Sequence, residues 1–327
     1  MTALERAWYK PGSWSRLLLP LSWLFCALAA LRRHYLESRR PSSLPAPVVV
    51  VGNVTVGGTG KTPLIIALVK ALQARGFNPG VISRGYGGRA RDYPLEVTEN
   101  SDPSECGDEP LLIATSCGCP VVVDPDRLGA ARHLLASSRC DLILSDDGLQ
   151  HYRLPRDMEI VVVDGERGLG NGLCLPAGPL REPARRLREA AFVVVNGGNL
   201  VVNHPRQYRM IFQPLGFRHL VDGGRRDARD PPGSGSVHAV AGIGNPARFA
   251  RTLAALGLSV RLHSFPDHHN FSPEDLRFGD DRPVILTGKD AVKCRDFPEC
   301  DAWVLDVAAR LEDNGLEALV DAIDRLV

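Results

Sequence analysis

The chain has 327 residues, enough for two domains, and its 44% hydrophobic and 24% charged residues exclude a disordered protein. The net charge is +1, and residues 1–40 carry seven basic and two acidic side chains, hence +5, which leaves −4 for the remaining chain. A weakly acidic body of this kind argues against nucleic-acid binding.

The first predicted element is an apolar segment, residues 17–31, with arginines on both sides. Its 15 residues are fewer than the roughly 20 that cross a hydrocarbon core. Pro20 and Ser22 weaken a spanning helix further, and no small-residue cleavage site supports a signal peptide. We expect an interfacial helix with Trp14 and Trp23 at headgroup depth and arginines against anionic lipid. A buried helix of a soluble core is the alternative.

A strand, a glycine-rich turn and a helix follow one another from residue 48 onward. Four valines at 48–51 predict a buried strand, and apolar residues at helical spacing follow Lys61 and Thr62. The turn between them contains Gly57, Gly58 and Gly60. Such a turn points backbone N–H groups at an anion, at the positive end of the helix dipole. Lys61 would then reach the β- and γ-phosphates of a nucleotide, and the Thr62 hydroxyl would bind Mg²⁺.

The match to the usual G-x-x-x-x-G-K-[ST] pattern is incomplete. Thr55 stands where that pattern has its first glycine. A glycine-rich turn followed by a chance Lys-Thr pair is therefore the alternative. The flanking strand and helix favour a nucleoside-triphosphate site.

Alternating strands and helices continue after this loop. Short apolar runs predict strands at residues 81–83, 120–123, 142–144, 160–163 and 192–195, and helical patterns fall at 111–116 and 127–136. Residues 90–107 show no regular pattern. Continuous apolar strands that alternate with helices predict an α/β fold, with a P-loop NTPase-like parallel sheet and helices on both faces.

A second α/β pattern follows a stretch rich in Arg, Asp, Gly and Pro, residues 218–235, which we interpret as a linker. The later strands are predicted at 237–240, 259–262, 284–286 and 303–305, and the later helices at 247–256 and 316–326. We therefore expect three parts. They are an N-terminal membrane-associating helix in residues 1–40, a P-loop kinase core in 41–220, and a smaller C-terminal α/β domain in 221–327 that contributes to the active-site cleft.

Two aspartates, Asp146 and Asp147, end the strand predicted beside the phosphate loop. Carboxylates at this position hold Mg²⁺ directly or through water in P-loop enzymes. A pair of solvated turn carboxylates before Gly148 is the alternative. No glutamate follows them to orient a water molecule, which favours transfer to a substrate hydroxyl over hydrolysis.

Three further polar clusters could carry chemistry. Asp108 lies at a predicted helix start, where it is either an N-cap or a base for the attacking hydroxyl. Asp267 and His268 lie between phenylalanines, where Asp267 could orient a histidine that assists the base. A metal site or a loop of capping residues is the alternative there. A basic stretch forms either a solvated helix face or a contact with a phosphorylated or membrane-bound substrate, and it contains Arg181, Arg185, Arg186 and Arg188.

Eight motifs occur in order between residues 52 and 290. They read GNVTVGGTGKTP, SRGYGG, GDEP, SDDGLQH, LPAGPLREP, AGIGNPARF, FPDHHNF and TGKD. Together with the apolar, basic N-terminus they resemble the tetraacyldisaccharide 4'-kinase family, the lipid A kinases of Gram-negative bacteria. The resemblance covers nearly the whole chain. One motif departs from the family's pattern, because the usual T-E-K-D has Gly288 in place of glutamate.

The resemblance implies transfer of the γ-phosphate of ATP to the 4'-hydroxyl of a tetraacylated glucosamine disaccharide 1-phosphate. It places the enzyme at the cytoplasmic face of the inner membrane, with ATP and Mg²⁺ as cofactors and without nucleic acid or an obligate protein partner. A tetraacyl substrate leaves the bilayer at a cost of about 0.8 kcal/mol per buried CH₂, so the enzyme should lie on the membrane. This requirement gives the segment 17–31 a purpose.

The resemblance also implies roles for particular residues. Asp108 is the catalytic base with His268 as its partner, Lys61 contacts the transferred phosphate, and Thr62, Asp146 and Asp147 are on the metal side. The implied nucleotide loop consists of Thr55, Val56, Gly57, Gly58, Thr59, Gly60, Lys61 and Thr62. The supporting or substrate-side residues are Tyr86, Glu109, Gln150 and Asp267.

Two other functions remain open from the residues. A P-loop ATPase or GTPase could drive a protein partner, although such proteins often have a lysine where this chain has Val56. A non-catalytic membrane adaptor could retain the fold, although Lys61, Thr62 and both aspartates are intact.

Overall fold

The computed structural model describes residues 2–233, 235–295, 297 and 301–327. The strands are β1 (Val48–Gly52), β2 (Pro79–Ser83), β3 (Leu95–Val97), β4 (Val121–Val123), β5 (Leu142–Asp146), β6 (Met158–Asp164), β7 (Phe192–Asn196), β8 (Gln207–His219), β9 (Arg225–Asp227), β10 (Ser236–Ala241), β11 (Ser259–Ser264), β12 (Val284–Thr287) and β13 (Ala302–Leu311). The α-helices are α1 (Ala3–Trp8), α2 (Leu19–Glu37), α3 (Lys61–Ala74), α4 (Pro103–Cys106), α5 (Asp108–Cys117), α6 (Arg127–Ser137), α7 (Pro246–Ala255), α8 (Gly288–Cys294) and α9 (Gly315–Asp324). Short 3₁₀ helices span Trp14–Leu18, Ala184–Glu189 and Pro273–Leu276.

These strands form one sheet in the order β11-β10-β12-β13-β8-β7-β6-β1-β5-β2-β4-β3, with β9 paired to β8. Most neighbours are parallel, and β8 is antiparallel to β13 and to β9, as β3 is to β4. Alternate valines of β1 point to opposite faces, so Val49 packs with α3, α5 and α9, whereas Val50 packs with α6. The predicted α/β fold with helices on both faces of the sheet is confirmed.

The predicted elements recur with small changes at their ends, and three segments differ. Residues 90–107 contain β3 and α4, and Asp102 caps α4 by accepting a hydrogen bond from the Ser104 amide at 2.7 Å. The long strand β8 was not predicted, and its end and β9 occupy part of the expected linker at 218–235. The helix α8 was also not predicted.

The sheet continues across the boundary expected at residue 220. The pairing of β8 with β13 runs from His219 opposite Trp303 to Met210 opposite Leu311. The C-terminal strands nevertheless have apolar clusters of their own, one around Leu286 and one around Leu253. The division into residues 1–40, 41–220 and 221–327 remains a prediction.

The N-terminal apolar segment forms a longer helical region than the 15 residues expected. The 3₁₀ turn and α2 together span Trp14–Glu37, 24 residues that contain an 18-residue window with a mean hydropathy of 1.5, which is enough by length and composition to cross a membrane. Pro20 does not interrupt α2 because it occupies the first turn, where its missing N–H costs nothing. The Ser22 hydroxyl donates to the Cys174 carbonyl at 2.8 Å.

One side of α2 packs on the protein and the other side is exposed. Phe25 and Cys26 pack against a buried cluster of the core, and Arg33 forms an ion pair with Glu189 at 2.9 Å. The exposed side presents large apolar side chains at spacings of three and four residues. They are Leu17, Leu21, Leu24, Leu28, Leu31 and Tyr35. We call this set the apolar stripe of α2.

Candidate active site

The glycine-rich loop lies between the end of β1 and the first turn of α3, as predicted. Gly60 precedes α3 with a φ of +94°, and a Cβ at this position would collide with the Asn196 side chain. Asn196 ends β7 and donates from Nδ2 to the Thr59 carbonyl at 2.9 Å. Only glycine fits this conformation and this approach. The loop therefore has its shape fixed by a neighbouring strand end that the sequence did not indicate.

The segment LPAGPLREP runs alongside the start of the loop. The Val56 amide donates to the Pro179 carbonyl at 2.9 Å, and the Arg181 amide donates to the Val54 carbonyl at 2.7 Å. This pairing holds Arg181 next to the strand end that carries Asp147. The basic stretch is thus not simply a solvated face, because Arg181 contacts the site.

Asp147 is a carboxylate held between two cations. Its oxygens lie 3.4 Å from Lys61 Nζ and 3.2 Å from Arg181 Nη1. Burial raises the pKa of Asp147, but Lys61 and Arg181 outweigh burial and lower it to about 2. Its φ of +48°, in a region that Asp tolerates better than most residues, helps direct the side chain to Lys61. Asp147 is therefore charged and orients Lys61.

Asp146 differs from its neighbour because it is buried and its carboxylate contacts no cation in the described chain. Ser83 Oγ lies 3.3 Å from Asp146 Oδ2, and Oδ1 has no hydrogen-bond partner in the described chain. Burial, and then the charge of Glu109, raises the pKa of Asp146 to about 7. A free, buried carboxylate oxygen near the Thr62 end of α3 fits a divalent cation. No cluster of three or more His, Cys, Asp or Glu ligands occurs in the described residues, and Mg²⁺ beside a phosphate loop needs none.

Asp108 and His268 meet across 160 positions of the chain. His268 Nδ1 lies 3.1 Å from Asp108 Oδ1. Gly107, not Asp108, is the N-cap of α5, so the interpretation of Asp108 as an N-cap is wrong. Burial raises the pKa of Asp108, but the hydrogen bond with His268 and the charges of Lys289 and Lys293 outweigh burial and keep it below its usual range. Asp108 is a carboxylate at neutral pH.

The loop that carries His268 adopts a shape that few residues tolerate. His268 has a φ of +62°, which for a residue other than glycine marks a backbone held by its surroundings. The Tyr86 ring lies 4.8 Å from the His268 ring between centroids, and a Cβ on Gly87 would come within 3.3 Å of His268 Nδ1. The R-G-Y-G loop thus packs directly on the histidine.

Lys289, the second residue of α8, lies at the centre of the acidic groups. Its Nζ is 3.0 Å from Glu109 Oε1 and 3.1 Å from Asp267 Oδ1, and it is 3.9 Å from Asp108 Oδ2. Burial lowers the pKa of Lys289, but the three carboxylates outweigh burial and raise it. The sequence had given Lys289 no role beyond the T-G-K-D motif.

Gln150 lies on the Asp147 side of the site. Its Nε2 donates to the Asn53 carbonyl at 3.1 Å and to Glu182 Oε1 at 2.8 Å. Glu182 in turn pairs with Arg186 at 3.3 Å, and Arg186 contacts Glu159 at 2.6 Å. Arg186 is buried in these ion pairs, which contradicts its placement on a solvated face.

A buried cationic group next to Asp146 was missed from the sequence. Arg127 is 2% exposed, donates to the Asp124 carbonyl at 3.0 Å, and lies 3.4 Å from the Asp146 carbonyl. Burial, together with Arg127 and Arg84, lowers the pKa of His151 to about 3, so this imidazole is neutral. The SRGYGG and SDDGLQH motifs contain Arg84, Asp146 and His151, but Arg127 lies outside all eight motifs.

A cleft of about 740 Å³ joins the nucleotide loop to the acidic cluster. It runs between α3, α5, α8 and β13, and its lining includes Lys61, Thr62, Glu109, Asp267 and Lys289. Seven of the sixteen predicted site residues line this cavity, whereas Asp108, His268, Asp146 and Asp147 are not among its lining residues. Gly244, in the turn before α7, lies close to Gly58 of the loop. A Cβ on Gly244 would be only 3.1 Å from the Gly58 nitrogen.

The comparisons with known proteins agree on one family. The family model described as tetraacyldisaccharide-1-P 4'-kinase matches residues 14–324. A tetraacyldisaccharide 4'-kinase from Alkalilimnicola ehrlichii is 51% identical over 330 residues, covering 100% of this chain and 98% of the relative, and one from Hahella chejuensis is 50% identical over 326 residues, covering 98% and 95%. The crystal structure of the "apo" form of LpxK from Aquifex aeolicus in complex with ATP has a TM-score of 0.79 at 27% identity, covering 95% of this chain and 99% of that one.

Proposed function

The chain belongs to the tetraacyldisaccharide 4'-kinase family, and we propose which of its residues carry out the reaction of that family and where in the cell they do so. The enzyme transfers the γ-phosphate of ATP to the 4'-hydroxyl of a tetraacylated glucosamine disaccharide 1-phosphate, a step in lipid A biosynthesis. A protein-driving ATPase is not retained as an alternative. The observation that carries the proposed mechanism is the Asp108–His268 contact at 3.1 Å beside a cleft that contains Lys61.

The loop of residues 55–62 binds the phosphates of ATP. Its backbone N–H groups and the N-terminus of α3 favour an anion. Lys61 neutralises the charge that develops on the transferred group, and Asp147 orients Lys61 through the 3.4 Å contact. Arg181 holds Asp147 in turn. Catalysis by this half of the site is positioning and charge neutralisation.

Thr62 and Asp146 are the residues that would hold Mg²⁺. The unpartnered Asp146 Oδ1 supports this assignment over Asp147, whose oxygens are occupied by cations. Mg²⁺ held by these residues would supply positive charge against the phosphates. In this assignment Asp147 does not bind the metal and contributes only by orienting Lys61.

Asp108 accepts the proton of the 4'-hydroxyl. The O–H bond breaks as the proton moves to the Asp108 carboxylate, and the oxygen forms a bond to the γ-phosphorus. The bond from that phosphorus to the β,γ-bridging oxygen breaks, and ADP leaves with the electron pair. Asp108 suits this role because its lowered pKa keeps it ionised and because Oδ2 has no hydrogen-bond partner in the described chain.

We place the enzyme on the cytoplasmic face of the inner membrane, with α2 lying in the interface. A helix packed on the core through Ser22, Phe25 and Cys26 cannot be surrounded by lipid, so we favour an in-plane helix over a spanning one. The apolar stripe of α2 faces away from the core, and Leu17 in it is 82% exposed. An exposed apolar surface of this kind is stabilised when lipid covers it. The arginines around α2 suit anionic headgroups.

The test is transfer of labelled γ-phosphate from ATP to detergent-dispersed tetraacyldisaccharide 1-phosphate by the full chain. We expect a labelled lipid bisphosphate, its loss in Lys61→Ala, and severe loss in Asp108→Asn with ATP binding retained. Full turnover in Asp108→Asn would remove Asp108 from the mechanism. Phosphate release to water without labelled lipid would contradict the assignment of the acceptor.

A further inference from the structure

We propose, on the basis of the proposed role of Asp108, that Lys289 is a positioning residue that fixes His268 in one neutral tautomer. In this tautomer the ring proton is on Nδ1 and points at Asp108, and Nε2 carries none. Lys289 would thus decide which oxygen of Asp108 is free for the substrate hydroxyl. Apart from the charge that it places 3.9 Å from Asp108 Oδ2, its effect on the reaction passes through His268.

The assignment follows from which atoms can donate. A lysine ammonium has three N–H donors and no acceptor. Lys289 Nζ lies 3.3 Å from His268 Nε2, so this nitrogen must accept and cannot itself be protonated. Asp267 Oδ1 is the competing partner for a protonated Nε2, and at 3.8 Å it is too far for a hydrogen bond.

The other ring nitrogen then has its proton. His268 Nδ1–H donates to Asp108 Oδ1 at 3.1 Å. Asp108 Oδ1 also accepts from the Glu109 amide at 3.0 Å, so this oxygen has two donors. Asp108 Oδ2 has no hydrogen-bond partner in the described chain. In this tautomer His268 therefore occupies Asp108 Oδ1, and Oδ2 is left to accept the substrate proton.

The charges around His268 explain why a lysine is needed. The ionisable groups that surround the ring and its partners are Asp108, Glu109, Asp267, Lys289, Lys293 and Tyr86. The ammonium of Lys289 lies 3.3 Å from Nε2 and, having only donors, takes the position that an acceptor for a second ring N–H would need. With Lys289 in place, a proton taken from substrate stays on Asp108.

The direct test is nitrogen NMR of the full chain in detergent with ¹⁵N-labelled histidine, at neutral pH. The His268 signals are assigned by their loss in His268→Gln. We expect Nδ1 to be protonated and Nε2 unprotonated. A protonated Nε2 in the wild-type protein would overturn the proposal, and this spectrum needs no variant at Lys289 to fold.

Lys289→Met tests whether Lys289 sets this state, and Lys293→Met is its matched control. Lys293 is on the same helix, 8% exposed at its side chain, and 3.7 Å from Asp108 Oδ2, against 3.9 Å for Lys289. No contact of Lys293 with the His268 ring occurs in the described residues. We expect protonated Nε2 in Lys289→Met and the wild-type pattern in Lys293→Met. An unchanged pattern in Lys289→Met refutes the role, and Lys289→Gln takes its place if the methionine variant does not fold.

A kinetic readout separates this role from a purely structural one. We expect the acid limb of the turnover–pH profile to move upward by about one pH unit in Lys289→Met, because the variant removes a cation that lowers the pKa of Asp108. Lys289→Arg, which keeps the charge and the donors, should restore the limb. A uniform loss of turnover at every pH would contradict the proposal. Full turnover in Asp108→Asn together with the expected NMR pattern would instead show that Asp108 is not the base, while the tautomer proposed for His268 would still hold.

Discussion

Replacing Asp108 by asparagine removes the proton acceptor while keeping the shape of the side chain. Asp108 is 3% exposed, so a change of size would disturb the packing around it, and asparagine avoids that. The amide oxygen can still accept from His268 Nδ1–H, as Oδ1 does at 3.1 Å. What is lost is the free second oxygen with its negative charge. The substitution therefore isolates proton transfer from positioning.

The expected loss in turnover is about 10²- to 10⁴-fold, the usual contribution of a general base. That range corresponds to about 3–5 kcal/mol of transition-state stabilisation. The Michaelis constant for ATP should change by less than about threefold, since Lys61 and its partner Asp147 are untouched. The assay varies ATP at saturating lipid and counts labelled lipid product.

A matched control is available in the same loop. Asp275 forms a comparable pair with His269, whose Nε2 lies 3.1 Å from Asp275 Oδ2, and its carboxylate caps the short helix Pro273–Leu276. Asp275→Asn should keep turnover within about threefold of wild type. Turnover within tenfold of wild type in Asp108→Asn, or a rise in the ATP Michaelis constant as large as the fall in turnover, would refute the reasoning.

Four further outcomes are expected. The pKa of Asp108 is lowered in the folded state, so its carboxylate stabilises the fold above the unfolded pKa of about 4, and this stabilisation is lost as pH falls through the folded pKa. The difference in unfolding free energy between wild type and Asp108→Asn, measured by urea titration, should therefore shrink with acidification. Asp146→Asn should raise the Mg²⁺ concentration for half-maximal turnover at least roughly tenfold, and an unchanged requirement would remove it from the metal site. Arg186→Met should cost about 3–5 kcal/mol of unfolding free energy because it leaves buried Glu182 without its cation and Glu159 with Arg156 alone, whereas exposed Arg188→Met should stay within about 0.5 kcal/mol. Leu28 is 57% exposed on the apolar stripe of α2. Leu28→Glu should lower the partition of the protein onto anionic vesicles more than about tenfold and leave its melting temperature unchanged. Equal partition of the variant and the wild type would argue against an in-plane helix.

The sheet could be predicted where strands are continuous apolar runs. Val48 to Val51 and residues 193–195 are buried on both faces and have no polar residue to confuse the pattern. The strand β8 was missed because Pro214 and Gly216 interrupt its sequence. In the structure a β-bulge occurs there, opposite Asp306 and Val307, and accommodates both residues. Local pattern could not reveal a strand whose irregularity is compensated by its partner.

The residue types of the site could be predicted from the sequence, but most of the contacts between them could not. Asp108 and His268 were expected together because the family resemblance implied it. The contact of Lys289 with Glu109 joins residues 180 positions apart, and it depends on where α8 packs against α5. The difference between Asp146 and Asp147 arises because Arg181 reaches only one of them. Such choices depend on distances of a few ångströms, which sequence spacing does not contain.

The single continuous sheet determines when a newly made chain becomes active. Residues 55–62 and Asp108 belong to the first half of the polypeptide, whereas His268 and Lys289 join them only once β10, β12 and β13 have added to the edge of β8. Since the N-terminal part leaves the ribosome first, the apolar stripe of α2 is exposed, on the proposed membrane placement, to lipid while the C-terminal strands are still being translated. On the proposed mechanism, a partly synthesised chain has the nucleotide loop and Asp108 but lacks the His268 and Lys289 contacts until the C-terminal strands are made.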